Sequence, residues 1–349
     1  LLDRSATADE QPALEALGAE LIDPVLPLLA KQGVTTLILS PSAPLHQLPL
    51  PALRVGLEDE ERGYLIDRFA LSLTPSAAML ARRTQSPPRA IWPPVLVAAA
   101  PFCRVNDLDA APAPMQIHEL AARDLAPRDR AGGGAVGLDT LAPLNRSGDE
   151  IRGIAAIVQE IAPDGPAPRL YLGAQATRSA LVREMPAARF IHLSTHGGKI
   201  DLRHSIDDYP LFLAPDGDAR MPSTLTVQEV FDGAVTLDDV FAIALSACHL
   251  GDAATQGAEA IGFAQAFLAA GAGVILAPIW AVADLPTALL MIGWYTQLAS
   301  PGRPDVAHAW QAAVQQLRRR RDYDNLFAHP HFWAGFLPTG DGALRLGVA

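Results

Sequence analysis

The 349 residues are 50% hydrophobic and 19% charged, a balance that can bury a sizeable core and excludes a globally disordered chain. A net charge of −11, from 27 Lys and Arg against 38 Asp and Glu, argues against an electrostatic grip on nucleic-acid phosphates or an anionic membrane. Two cysteines, Cys103 and Cys248, cannot build a disulfide framework, and nothing resembles an export signal, so a cytoplasmic setting is the default.

In chain order, helical patterns near 11–30, 76–84, 148–162, 176–184, 225–231, 259–270, 285–299 and 304–320 alternate with short apolar runs. Those runs predict strands at Val34–Leu39, Phe69–Leu73, Val95–Ala99, Arg169–Leu172, Phe190–Ser194, Phe241–Ser246 and Ala272–Trp280. Strands apolar on both faces and separated by helices predict an α/β fold around a mostly parallel sheet. Residues 101–147 break the rhythm with Ala-Pro repeats, an Arg/Asp-rich patch and the run Gly132–Gly134, and read as an exposed, mobile insertion. The stretch Ala260–Ala283 is apolar enough to mimic a membrane span. Gln265 lies inside it, Gly271 and Gly273 interrupt it, and Glu259 and Asp284 flank it in place of a basic cluster. It predicts a buried helix that stops at Gly271, then a buried strand. The chain opens on Leu1 rather than Met, which reads as a fragment of a longer polypeptide.

Two strand ends carry chemistry. Arg189–Gly198 is an apolar strand ending in His196 and two glycines, and Val240–Gly251 is an apolar strand running into Cys248 and a glycine turn. In a parallel sheet the C-terminal ends of neighbouring strands share one edge, about 4.8 Å apart, where ligands bind in open α/β folds. A thiol with a pKa of about 8.5 is mostly protonated at neutral pH, while its thiolate is the nucleophile. An imidazole beside it can take that proton and later return it to a leaving amine. Taken singly, such a cysteine is a small buried hydrophobe and such a histidine a satisfied core group. Their pairing, each at the polar end of an apolar strand beside glycine, is what points to catalysis.

The surrounding motifs resemble the CHAT domain, a caspase-like cysteine peptidase family distantly similar to separase and often appended to TPR repeats. The resemblance rests on Leu45–Leu50 with Ala52 and Leu53, on Leu73–Ser76, on Phe190–Gly197 and on Leu211–Ala214. It continues through Leu245–Cys248, Gly262–Trp280, Val282, Asp284 and Pro330–Phe336. It implies a caspase-like three-layer α/β/α sandwich around a mostly parallel sheet, with an N-terminal extension of the same fold. Residues 1–20 would be a linker or the end of a preceding region, 21–90 the N-terminal half, and 91–349 the catalytic half carrying the insertion. It also implies His196 as general base, Cys248 as nucleophile, and the Gly197 and Cys248 amides as an oxyanion hole. Ser246, Asp207 and Asp208 are candidate substrate-lining residues, although a solvated acidic turn explains the two aspartates better. Two departures bear on pocket shape: an acidic residue in Ala258-Glu259-Ala260 rather than between glycines, and Pro278-Ile279 before Trp280 where Ser-Leu is common.

Other signals are weaker. His192, His196, Cys248 and His249 could be imagined around zinc, but no Cys-x-x-Cys supports it and His192 reads as mid-strand packing. His118-Glu119 lacks the second histidine of a metalloprotease helix, and there is no Walker loop. Arg318–Arg321 suits a helix C-terminus. No metal or cofactor is called for. The expected function is a cysteine endopeptidase acting on a protein or peptide, held in check by N-terminal TPR-type repeats, with no nucleic acid and no membrane. The alternatives are a catalytically silent scaffold for protein interaction, and a small-molecule hydrolase or acyltransferase using the same thiol.

Overall fold

The computed structural model describes residues 6–42, 45–46, 48–57, 61–84, 94–103, 141, 143–197, 210–217, 221–247, 258–280, 282–321 and 325–347. The first third holds α1 (Ala6–Leu21), α2 (Leu26–Lys31), β1 (Thr36–Leu39), β2 (Arg54–Val55), β3 (Gly63–Tyr64), α3 (Leu65–Arg68), β4 (Ala70–Leu73) and α4 (Ala77–Thr84). The middle holds β5 (Leu96–Ala100), α5 (Ser147–Ile161), β6 (Arg169–Leu172), α6 (Arg178–Glu184), β7 (Phe190–Thr195), β8 (Leu211–Leu213), β9 (Ser223–Leu225) and α7 (Val227–Phe231). The last part holds β10 (Ala242–Ala247), α8 (Ala258–Ala269), β11 (Val274–Pro278), α9 (Asp284–Ala299), α10 (Val306–Arg318) and β12 (Phe336–Gly340).

Eight strands form one sheet in the order β1-β4-β12-β11-β10-β7-β5-β6, and every neighbouring pair is parallel except β11 with β12. Helices cover both faces, which is the three-layer α/β/α sandwich implied by the caspase-like resemblance. The first strands, β1 and β4, join this same sheet. On one face α5, α9 and α10 bury Ile151, Ile154, Trp294 and Trp310 against Phe190 and Phe241. On the other, α6, α7 and α8 bury Leu181, Val230, Phe263 and Phe267 against Ile191, Leu193, Ile243 and Leu245.

Local chemistry fixes the helix ends. Thr226 and Glu229 form a reciprocal capping box at α7, Thr177 Oγ1 accepts from the Ala180 N–H at α6, and Asp305 Oδ1 accepts from the His308 N–H at α10. The helix expected over 11–30 is two helices, because Pro24 and Pro27 deny backbone donors and a 3₁₀ turn at Asp23–Val25 intervenes. The apolar stretch after residue 258 is α8 followed by β11, broken at Gly271 with φ +115, where a Cβ would lie 2.5 Å from Asp238 Oδ1. No described helix is long and apolar enough to cross a membrane.

Three features differ from the sequence reading. β12 lies in the middle of the sheet yet carries Pro338 in register with Leu276, and a proline argues against a central strand when only sequence is seen. The hairpin β8–β9 is three residues per strand, too short for a period-two pattern to register. The segment read as an exposed insertion packs inward at both ends: Phe102, Leu141 and Leu144 are buried together with Phe212, and Cys103 bridges Leu144. Its interior, 104–140, lies outside the described residues.

Candidate active site

β7 and β10 run parallel in unbroken register from Phe190↔Ala242 to Ser194↔Ser246 and Thr195↔Ala247. His196 is the next residue after β7 and is fully buried. Its carbonyl accepts from the Phe212 N–H at 2.9 Å, and its ring packs 5.0 Å from the Phe102 ring at 59°. Gly197 forms an antiparallel bridge with Leu211. The flanking bond from Phe212 N–H to His196 makes that bridge the non-hydrogen-bonded kind, so the Gly197 N–H points out of the pair. Thr195 Oγ1 donates to the carbonyl of the same Phe212, pinning β7 to β8 a second time. Together these bonds hold the strand end that carries the imidazole.

Cys248 follows Ala247 in the sequence and lies outside the described residues, as do Asp207, Asp208 and His249. Ser246 is fully buried beside Ser194, on the side of the sheet that faces α5. Of the residues singled out from sequence, the structure therefore brings His196, Gly197 and Ser246 to one edge. Among the described residues no group of three or more His, Cys, Asp or Glu could hold a metal.

Sequence reading missed a second layer behind this edge. Glu150, in the first turn of α5, is fully buried. Its Oε1 lies 3.0 Å from His192 Nε2 and its Oε2 accepts from Ser194 Oγ at 2.8 Å. The helix N-terminus favours a carboxylate there. His192 is flanked in register by Ala98 on β5 and Ala244 on β10, whose small side chains leave the slot the imidazole and carboxylate fill. His192 Nδ1 is buried with no partner among the described residues. An orphaned acceptor lone pair is tolerated better than an orphaned N–H, which places the proton on Nε2, donating to ionised Glu150. The Tyr295 phenol stands beside this pair, its ring 5.8 Å from His192, and burial first, then the Glu150 charge, push its pKa upward. Asp284, at the start of α9, accepts from the Arg146 N–H at 2.9 Å and so ties the α5 N-terminus to its neighbour. Arg152 pairs with Asp149 at 2.8 Å in the same turn. The signal for Glu150 was present: it precedes Ile154 by four positions on the apolar face of an amphipathic helix, where a carboxylate needs a buried partner.

A groove with about 630 Å³ of empty space, part of it open to solvent, lies over β4, β12 and β11, lined by His46, Leu48, Leu73, Gln265, Ile279 and Phe336 among others. Burial lowers the pKa of His46 at its rim. One strand, β10, separates it from β7, and His196 is not among the residues that line it, so it is not the pocket in which the imidazole sits.

A family model described as the CHAT domain matches residues 11–341, and the chain belongs to that family. Among solved structures it is similar to the complex of Porphyromonas gingivalis RgpB pro- and mature domains, at 11% identity and TM-score 0.47, over 99% of this chain and 78% of that one. It is similar to the Arg-specific cysteine proteinase gingipain R at 11% identity and TM-score 0.45, and covers 79% of itself and 55% of that chain. The Saccharomyces cerevisiae separase–securin complex is similar at 12% identity and TM-score 0.47, over 87% of this chain and 15% of that one. The chain thus spans about half the length of gingipain R and a small part of the yeast chain. Among curated proteins, none matches it.

Proposed function

We propose that the chain is a cysteine endopeptidase in which Cys248 attacks a peptide carbonyl and His196 manages the proton. One observation carries this reading: β7 and β10 stay in register up to the residues immediately before His196 and Cys248. Side chains in register on neighbouring parallel strands are about 4.8 Å apart, within reach of one proton between sulfur and nitrogen. Membership of the CHAT domain family supports it. So does the outward Gly197 N–H, which with the amide of Cys248 suits a developing oxyanion.

The sulfur adds to the carbonyl carbon while its proton passes to His196. The tetrahedral intermediate collapses with cleavage of the C–N bond, and the imidazolium gives its proton to the departing amine. Water, deprotonated by the same imidazole, then releases the acyl group and restores the thiol. The Phe102 ring against the imidazole excludes solvent from one side of this exchange.

The test is alkylation of Cys248 by iodoacetamide, read at that residue by peptide mass so that Cys103 does not contribute. Faster labelling than a free thiol, slowed by His196→Ala, is expected. Labelling at the free-thiol rate in both proteins would sink the dyad. A proteome digest comparing wild type with Cys248→Ala then separates a peptidase from a silent scaffold: cuts lost with the sulfur support the first, and identical digests the second.

A further inference from the structure

We infer that Glu150 is a positioning residue for His196, acting through Ser194 and His192 to hold β7 in the one register that keeps the imidazole on the Phe102 side of the sheet. This rests on the dyad proposed above.

A strand has a side-chain period of two, so a slip of one residue turns every side chain to the other face. Ile191 and Leu193 give little resistance to such a slip, since they are as apolar as the surfaces on either side. Glu150 resists it. Its two oxygens are met by His192 and Ser194, residues i and i+2 of the strand, and His196 is i+4 on the same side. Shifted by one, the carboxylate would face Ile191 and Leu193, which cannot donate, or Leu193 and Thr195, which offer one hydroxyl in place of the present pair, and His196 would turn toward α6–α8. Leaving a buried carboxylate unmatched is costly enough to disfavour that arrangement strongly.

The placement argues for more than stability. A buried charge is a poor way to stabilise a helix–strand contact, because apolar residues of similar volume do as well or better. What such a group contributes is selection of one arrangement. Here the selected strand ends two residues, about 7 Å, past Ser194 at His196. The anchor is itself fixed: α5 begins just after the segment that packs Leu144 with Phe102, and Asp284 accepts from the N–H of Arg146, the residue that precedes the helix. Helix start, aromatic wall and imidazole are thus packed against one another.

The experiment measures the iodoacetamide rate at Cys248, its pH midpoint and the melting temperature for wild type, Ser194→Ala, Glu150→Gln, their double variant and His196→Ala. Ser194→Ala and Glu150→Gln should each slow labelling about tenfold, the scale of lost outer supports in other sites, with the double no slower than the worse single. The midpoint should move up toward the free-thiol value of about 8.5, which a merely structural role would not cause in protein that remains folded. Where Glu150→Gln fails to fold, Ser194→Ala, which removes one oxygen, carries the test alone. A wild-type rate and midpoint in folded Ser194→Ala, with His196→Ala still slow, would overturn the inference and leave the dyad standing. If His196→Ala labels like wild type, the dyad falls and this inference falls with it.

Discussion

The two faces of the sheet are cut from the same strands and are built differently. On β7 and β10 the odd-numbered residues Ile191, Leu193, Ile243 and Leu245 lie in one aliphatic and aromatic cluster with side chains from α6, α7 and α8. The even-numbered His192, Ser194 and Ser246 face α5, where Glu150 accepts from two of them. One face is a packing surface whose exact partners matter little so long as volume is conserved. The other is packed as well, by Ile151, Ile154, Trp294 and Trp310, and adds two specific contacts of Glu150 on the strand that leads to His196. A period of two lets a single strand do both, with packing alone on one side and packing joined to specific polar contacts on the other.

The contrast breaks most sharply if the apolar face can be emptied without cost. Phe267 is fully buried and stacks on Phe263 at 5.7 Å. Phe267→Ala should lower unfolding free energy by about 3–5 kcal/mol, through lost transfer energy and the cavity left behind. Urea unfolding measures it, and a loss below about 1 kcal/mol would mean that this face does not carry the fold.

The polar face makes a different prediction. His192→Ala removes one partner of a buried carboxylate and should cost about 3 kcal/mol, whereas Glu150→Met with His192→Leu should return to within about 1 kcal/mol of wild type. Stability would recover while Cys248 labelling stayed slow. If the double variant is as unstable as the single, the pair holds the fold together and the division between faces is wrong.

Much of this arrangement was legible before the coordinates. Seven of the sheet strands follow from short apolar runs, most clearly β5, β10 and β11, which are buried throughout and made mainly of Val, Ile, Leu and Ala. His196 and Gly197 stood out because a polar residue and a glycine end such a run. β12 did not, since Pro338 forfeits a ladder donor and no local pattern reveals that β11 will supply its partner. Glu150 escaped for a related reason. Its role depends on two donors more than 40 residues away, His192 and Ser194, and sequence spacing does not encode which helix lies over which strand.

Asp284 sharpens the comparison on a smaller scale. It was quoted as part of a family motif, and the structure gives the motif a physical meaning: a carboxylate from α9 accepts from the N–H of Arg146, the residue that precedes α5. Asp284→Ala should cost about 1–2 kcal/mol, as for other lost helix-terminal acceptors, and Asp284→Asn less, because an amide oxygen still accepts. Thermal melting of the two variants checks the order, and equal losses would assign the effect to charge rather than to the hydrogen bond.

Tyr295 gives the smallest effect at neutral pH and the most specific one at alkaline pH. Its hydroxyl is buried on the polar face with no hydrogen-bond partner among the described residues, so Tyr295→Phe removes a desolvated group and should change stability by no more than about 1 kcal/mol at pH 7. Burial and the Glu150 charge raise the folded-state pKa of the phenol above its ordinary 10.0. Above that unfolded value the unfolded chain releases a proton that the folded one retains. Fewer protons bound in the unfolded state make the slope of unfolding free energy against pH negative, by up to about 1.4 kcal/mol per pH unit from this one group. Wild type should therefore lose stability faster than Tyr295→Phe as pH rises beyond about 10, and the other ionisations cancel in the difference between the two proteins. Melting curves of both, taken on either side of that value, should diverge in favour of the variant. Parallel curves would mean that the phenol is not sealed beside Glu150, and that the polar face is wetter than its packing indicates.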